Sequence, residues 1–212
     1  MSSVLVRQLG VQDYQPVWQK MQQFTEQRDS NTADEIWLLQ HPPVFTQGLN
    51  GKPEHILNKG NIPVVEIDRG GQVTYHGPGQ LIAYCLLDLK RKKLGVRQVV
   101  TALETAVINY LAEHNITAVA RKDAPGVYVN DAKISALGLK VKRGCCYHGL
   151  SLNVDMDMTP FSQINPCGYK DLAVVQLKDL GIKDPMLKVE EDLLRHLGLQ
   201  LSMASFEMSH CF

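Results

Sequence analysis

Long apolar runs, an excess of either charge and paired-cysteine motifs are all missing from this 212-residue sequence. No stretch reaches the ~18 uninterrupted apolar residues of a membrane span. The opening MSSVLVRQLGVQDYQ lacks the basic start and apolar stretch of a signal peptide. A cytoplasmic protein with no membrane partner is the expectation. Twenty-two basic residues balance 22 acidic ones, so no global charge invites nucleic acid. Neither a phosphate loop ending in Gly-Lys-Ser/Thr nor the spaced glycines of a dinucleotide site occurs, which argues against nucleotide chemistry. The five cysteines are odd in number and irregular in spacing, as expected of reduced thiols rather than a disulfide framework.

Repeats, low-complexity tracts and linkers are missing too, because prolines and glycines are scattered as turn punctuation. A single domain over residues 1–212 is the expectation, with enough chain to bury a full core. Val4 to Arg7 reads as a strand, and Tyr14 to Gln27 carries Val17, Met21 and Phe24 at helical spacing. β-Rich sequence follows at Glu35 to Leu39, Val44 to Gln47 and Val64 to Ile67, and a hairpin is expected from Val73 through HGPG to Leu87. Val96, Val100, Leu103, Val107 and Leu111 mark the strongest helix, ending near His114. In GVYVNDAKISALGLKV the Asn130-Asp131 pair suits a tight hairpin turn. YHGLSLNVDM alternates as another strand, and Met186 to Leu197 reads as a late helix. Strands cluster and helices interrupt them irregularly, which predicts an α+β fold with a mixed or antiparallel sheet and packed helices.

Two stretches stand out chemically. DRGGQVTYHGPGQ, Asp68 to Gln80, concentrates four glycines with Arg69 and His76. Its backbone could approach a ligand closely while the side chains hold or polarise it, and a glycine-rich hairpin connection fits the same composition. In INPCGY, Pro166 fixes its own φ and pushes Asn165 toward extended geometry, while Gly168 permits conformations that a side chain forbids. Cys167 is thereby set on a bend, whereas Cys85 in LIAYCLLDL has the setting of a core residue.

Cys145, Cys146, His148, Cys167 and His76 are metal-ligand types, but neighbouring cysteines point apart in a strand and no C-x-x-C pair is present. Packing or surface thiols are the plainer account of Cys145 and Cys146, and Cys211 is expected on a mobile tail. Cys167 is the best candidate nucleophile, needing a neighbouring cation or base to become a thiolate. His76, His148 and Lys133 are the available partners. Lys133 interrupts the apolar run AKISALGL, where a charge is costly unless exposed or employed. On the residues alone, an exposed strand lysine is the simpler account.

Taken together these stretches resemble the lipoyl(octanoyl)transferase family. RGGQVTYHGPGQLIAY (Arg69 to Tyr84), RKDAPGVYVNDAKISALGLK (Arg121 to Lys140), YHGLSLNV and INPCGY carry the resemblance, which runs from about Val4 to about Tyr169. It implies transfer of an octanoyl group from octanoyl-acyl carrier protein to a lysine of lipoyl domains, the first step of endogenous protein lipoylation. The acceptors implied are the lipoyl domains of 2-oxo acid dehydrogenases and the glycine cleavage H protein. It also implies the fold of the lipoate and biotin protein ligase catalytic domains. By resemblance Cys167 is the acyl-accepting thiol and Lys133 its acid/base partner, which reverses the reading of the lysine. Arg69, Gly70, Gly71, Gln72, Val73, Thr74, Tyr75 and His76 would line the acyl and carbonyl site with Ala136, Leu137, Gly138, Gly149, Leu150 and Ser151.

No cofactor is expected, since exchanging one thioester for another and then forming an amide requires no nucleotide. The ligase relatives activate their acid with ATP, and NPCGY is what favours the transferase. An ATP-dependent ligase of the same fold and a non-catalytic binding module for acyl carrier or lipoyl domains are the competing readings. Of the two basic runs, Lys90 to Lys93 and Lys140, Lys142 and Arg143, one is expected to dock an acidic partner. A solvated surface accounts for either run equally well.

Overall fold

The computed structural model describes residues 3–212. Alternation in VLVRQLGV gives β1 (Val4–Val11), and the Tyr14, Val17, Met21 stripe gives α1 (Tyr14–Gln27). β2 (Asp34–Gln40), β3 (Val44–Gln47), β4 (Val64–Glu66), β5 (Val73–His76) and β6 (Gln80–Asp88) follow. One short helical turn, α2 (Leu89–Lys92), leads into α3 (Val96–Glu113). Then come β7 (Val119–Ala120), β8 (Gly126–Val129), β9 (Ala132–Lys142) and β10 (Cys145–Asn153), before α4 (Met186–Gln200) and β11 (Phe206–Ser209).

Eight strands form one sheet in the order β11-β1-β2-β6-β10-β9-β8-β7, with β1 parallel to its two neighbours and the remaining pairs antiparallel. The α+β fold with a mixed sheet is as expected. β6 explains its own sequence. Leu81, Ala83, Cys85 and Leu87 pack with α3 and α4, while Ile82, Tyr84 and Leu86 pack with Val17 and Met21 of α1. A strand covered on both faces reads as a continuous apolar run.

The expected hairpin from Val73 to Leu87 does not form. β5 pairs with β3 in a separate three-stranded sheet, β4-β3-β5, whereas β6 lies between β2 and β10. Gly77 to Gly79 make a corner between the sheets, fixed where Gly79 N–H donates to Gln40 Oε1 and Gly79 O accepts from Val154 and Asp155 N–H. The 130–131 turn is as expected, since Asn130 (φ 47°) and Asp131 (φ 68°) both have positive φ, the requirement of a type I′ hairpin.

Cys85, Cys145 and Cys146 are buried. The expected mobile C-terminal tail is instead tied down: Arg7 Nη1 donates to Cys211 O, and the Phe212 ring meets Trp37 edge-on at 5.0 Å. Part of the first basic run is also spoken for, because Arg91 and Lys92 join Arg28 around the buried Asp34 carboxylate. No helix among the described residues is long and apolar enough to cross a membrane.

Candidate active site

Cys167 occupies a single 3-10 turn, Pro166–Gly168, with φ +57°. Such a left-handed conformation costs a non-glycine residue of order 1 kcal/mol or more and persists only where surroundings enforce it. Here it directs Sγ at a buried cation. Lys133 Nζ lies 2.8 Å from Cys167 Sγ and donates to Pro125 O at 3.1 Å, with the Tyr128 ring 5.1 Å away. Lys133 is 3% exposed, which overturns the exposed-lysine reading.

The local sheet irregularity explains the placement. Tyr128 pairs with Lys133 but Val127 pairs with Ser135, so Ile134 is an extra residue on β9. A bulge of this kind breaks strict alternation and re-aims side chains. Ile134 goes into the main core and the Lys133 side chain turns to Cys167. Burial alone would push the Lys133 ammonium down, but the Cys167 contact and Tyr128 outweigh it and hold the group above its ordinary value.

Next to this pair opens a cavity of about 510 Å³. Arg69, Gly70, Gly71, Gln72, Val73, Thr74, His76, Ala136, Leu137, Gly138, Gly149, Leu150, Ser151 and Cys167 all line it. Lys133 sits behind Cys167 in a small adjoining space that also touches Thr74, Ala136 and Ser151. Tyr75 is the one expected site residue turned away. Strand alternation puts its ring on the far side, against Phe45 and Phe161. Gly138 has a steric purpose: a Cβ there would fall 2.9 Å from Arg69 Cδ, so the glycine makes room for the guanidinium to cross β9.

Arg69 begins a hydrogen-bond chain whose directions are fixed by its end. Gln80 Nε2 donates to Tyr75 O and Asn153 Oδ1, leaving Gln80 Oε1 as acceptor of the His76 Nδ1 proton at 2.7 Å. His76 Nε2 is then a lone pair facing Thr46 Oγ1 at 3.3 Å, and Thr46 Oγ1 accepts from Arg69 Nη2. Burial, with the neighbouring His41, Arg69 and His148, pushes His76 down to about 3. His76 is a neutral group with both ring nitrogens engaged.

His41 follows the same pattern. Its Nδ1 donates to Gln12 O and its Nε2 accepts from Tyr84 O–H, and burial pushes it down to about 4. The third histidine, His148, is 3.0 Å from Asp68. Burial pushes the Asp68 carboxyl up, but donors from His148, Tyr147 and Trp18 outweigh that and hold it well below the carboxylate range.

Several lining residues had no sequence signal of a site. Tyr14, Ile82 and Tyr84 line the cavity, though their spacing marks only helix or strand. Val96 and Val100, part of the stripe that revealed α3, also reach the cavity. Cys145, Cys146, His148, Cys167 and His76 do not converge, and no metal-holding cluster of His, Cys, Asp or Glu exists among the described residues.

A chain-wide family match covers residues 13–198, to the lipoyl protein ligase A/B catalytic domain. An octanoyltransferase of Vibrio cholerae serotype O1 is 57% identical over 208 residues, 98% of this chain and 96% of that protein. Among solved structures, a putative lipoate protein ligase from T. acidophilum superposes with a TM-score of 0.80 at 14% identity, covering 100% of this chain and 90% of that one. Biotin protein ligase from Aquifex aeolicus, solved with biotin and ATP, gives 0.59 at 14% identity over 95% of this chain and 71% of that one. At such identities the two structures speak for the fold alone. The family match and the Vibrio identity reach further, and this chain belongs to the lipoyl protein ligase A/B catalytic-domain family.

Proposed function

We propose that this chain transfers an octanoyl group from octanoyl-acyl carrier protein, through a thioester on Cys167, to a lysine of a lipoyl domain. The 2.8 Å contact between Lys133 Nζ and Cys167 Sγ at the cavity carries the reading, and the Vibrio octanoyltransferase supports it. The lysine nitrogen is in direct contact with the attacking sulfur. Cys167 Sγ attacks the donor's thioester carbonyl and the donor carbon–sulfur bond breaks, the Cys167 thiol proton being relayed through Lys133 to the departing carrier thiolate. In the second half the acceptor amine attacks the Cys167 thioester. Its proton passes through Lys133 and the Cys167 thiolate departs, leaving an amide.

Octanoyl methylenes fit against Val96, Val100, Leu137, Leu139 and Leu150 of the cavity wall. Burial at ~0.8 kcal/mol per methylene gives several kcal/mol of binding. Discrimination between chain lengths is limited to ~1–3 kcal/mol per methylene. The 2-oxo acid dehydrogenase lipoyl domains and the glycine cleavage H protein are the acceptors in this reading. Lys140 and Arg143 form no ion pair among the described residues, although Lys142 pairs with Glu26; in the first run Lys90 and Lys93 are likewise unpaired, while Arg91 and Lys92 are held by Asp34. We assign docking of an acidic donor or acceptor to the 140–143 run. Charge reversal there should flatten the salt dependence of transfer, and an unchanged slope rejects the assignment.

Intact-mass spectrometry after mixing with octanoyl-acyl carrier protein, without ATP, tests the chemistry. The expected result is one octanoyl adduct, absent from Cys167→Ala and discharged by a lipoyl domain. Amide formed only from free octanoate and ATP would make the chain a ligase. Persistent binding without any adduct would make it a docking module.

A further inference from the structure

Glu104 is the buried titratable group that the mechanism above leaves idle. It lies on α3 and is 8% exposed, with no salt bridge among the described residues. Its Oε1 accepts one hydrogen bond, from Gly126 N–H at 3.0 Å. Burial raises the carboxyl above its usual range although the Gly126 N–H, Arg97 and Lys133 pull the other way. A carboxylate in such a place is a standing cost unless it does something.

What it holds is one peptide group. The N–H that Glu104 accepts and the carbonyl that Lys133 Nζ donates to belong to the same Pro125–Gly126 linkage. A line of contacts therefore runs from Glu104 Oε1 through that peptide to Lys133 Nζ and on to Cys167 Sγ, with steps of 3.0, 3.1 and 2.8 Å. Accepting from the N–H end of a peptide polarises it and strengthens its carbonyl as an acceptor. Gly126 is required at the join, since its φ is +145° and a Cβ would fall 3.0 Å from Lys133 Cε and 2.6 Å from Ser135 O. Tyr128 O–H fixes the loop one step earlier by donating to Ala124 O at 2.7 Å.

We propose that Glu104 is a positioning residue of this site, orienting the Pro125–Gly126 peptide so that its carbonyl holds Lys133 Nζ against Cys167. The inference rests on the reading of Lys133 and Cys167 as the transfer pair. The charged groups facing Glu104 are Arg97 on its own helix and Lys133 on β9; Lys133 also faces Cys167, and Arg69 lies across from the thiol. Glu104 touches neither acyl group nor thiol.

Single-turnover acylation by octanoyl-acyl carrier protein at saturating donor, together with iodoacetamide alkylation of Cys167 at pH 7, separates positioning from mere folding. Glu104→Gln keeps an acceptor for Gly126 N–H, whereas Glu104→Leu fills the space without one, and each rate is scaled to the folded fraction from circular dichroism. The expected result is at least a tenfold loss of acylation in the leucine variant, a parallel fall in alkylation and an unchanged KM. The glutamine variant should stay within threefold of wild type. Wild-type acylation by folded Glu104→Leu overturns the proposal, as does equal loss in both variants, which would assign the effect to charge instead of orientation. Should the leucine variant not fold, glutamine alone decides, because a loss beyond threefold there overturns it. Lys133→Ala is run alongside: if it too acylates at the wild-type rate, the transfer pair itself has been misassigned.

Discussion

Lys133 on β9 and His76 on β5 are both ionisable, both beside the same cavity, and 3% and 8% exposed. Their partners differ in kind. Lys133 touches Cys167, a group that can itself become charged, so burial is offset by an attraction that grows when the thiol ionises. His76 is enclosed by the Gln80 amide and the Thr46 hydroxyl, neutral groups that match a neutral imidazole, and the Gln80 hydrogen bond only partly offsets the burial of a positive charge. The partners thus keep one buried residue charged and leave the other neutral. In the proposed transfer, the group suited to move protons is set by its partner's chemistry, not by the intrinsic readiness of histidine to titrate.

Replacing the lysine breaks this comparison most severely. Lys133→Ala should slow acyl-enzyme formation by about 10²–10⁴-fold, the span of a positioned acid/base group. The variant should stay folded with a modestly lower melting temperature, because Lys133 forms no ion pair with a carboxylate but its loss leaves the Pro125 carbonyl without this donor. Single-turnover acylation with parallel thermal melts checks both halves. Near-normal acylation by a folded variant would return the role to a histidine.

The same contrast explains how far the sequence could be read. Helix α1 and the Asn130-Asp131 turn were legible because local periodicity and left-handed tolerance are properties of adjacent residues. The pairing of β5 was not: alternation marks a strand but not its partner, and the HGPG corner resembles a hairpin turn until β3 and β2 claim the two strands separately. The Cys167 bend was visible from Pro166 and Gly168. Lys133 looked like a surface residue on local grounds, because the bulge at Ile134 and the packing of residues 173–175 against it arise only from long-range pairing. Only the family resemblance singled the lysine out. Asp68 and Glu104 offered nothing locally, since what they do depends on hydrogen-bond donors 46 to 80 and 22 positions away.

The smallest effect sharpens the histidine side. His41 and His76 titrate near 6.5 in an unfolded chain, and burial has pushed them down to about 4 and about 3 in the fold. Above pH 6.5 both states are neutral and the stabilisation is complete. As pH falls from 6.5 toward 4, the unfolded chain takes up protons that the folded one refuses, so stability is lost at ~1.4 kcal/mol per pH unit for each histidine. Urea midpoints at pH 7, 6 and 5 should show this loss. His76→Gln should be less stable than wild type at pH 7, where its hydrogen bonds are disturbed, yet decline more gently toward pH 5. An equally steep decline would mean that His76 already carries a proton in the fold, and the contrast with Lys133 would collapse. Acylation rates, corrected for the folded fraction, should carry no inflection from His76 between pH 5 and 7, since a group that titrates near 3 is neutral throughout that window.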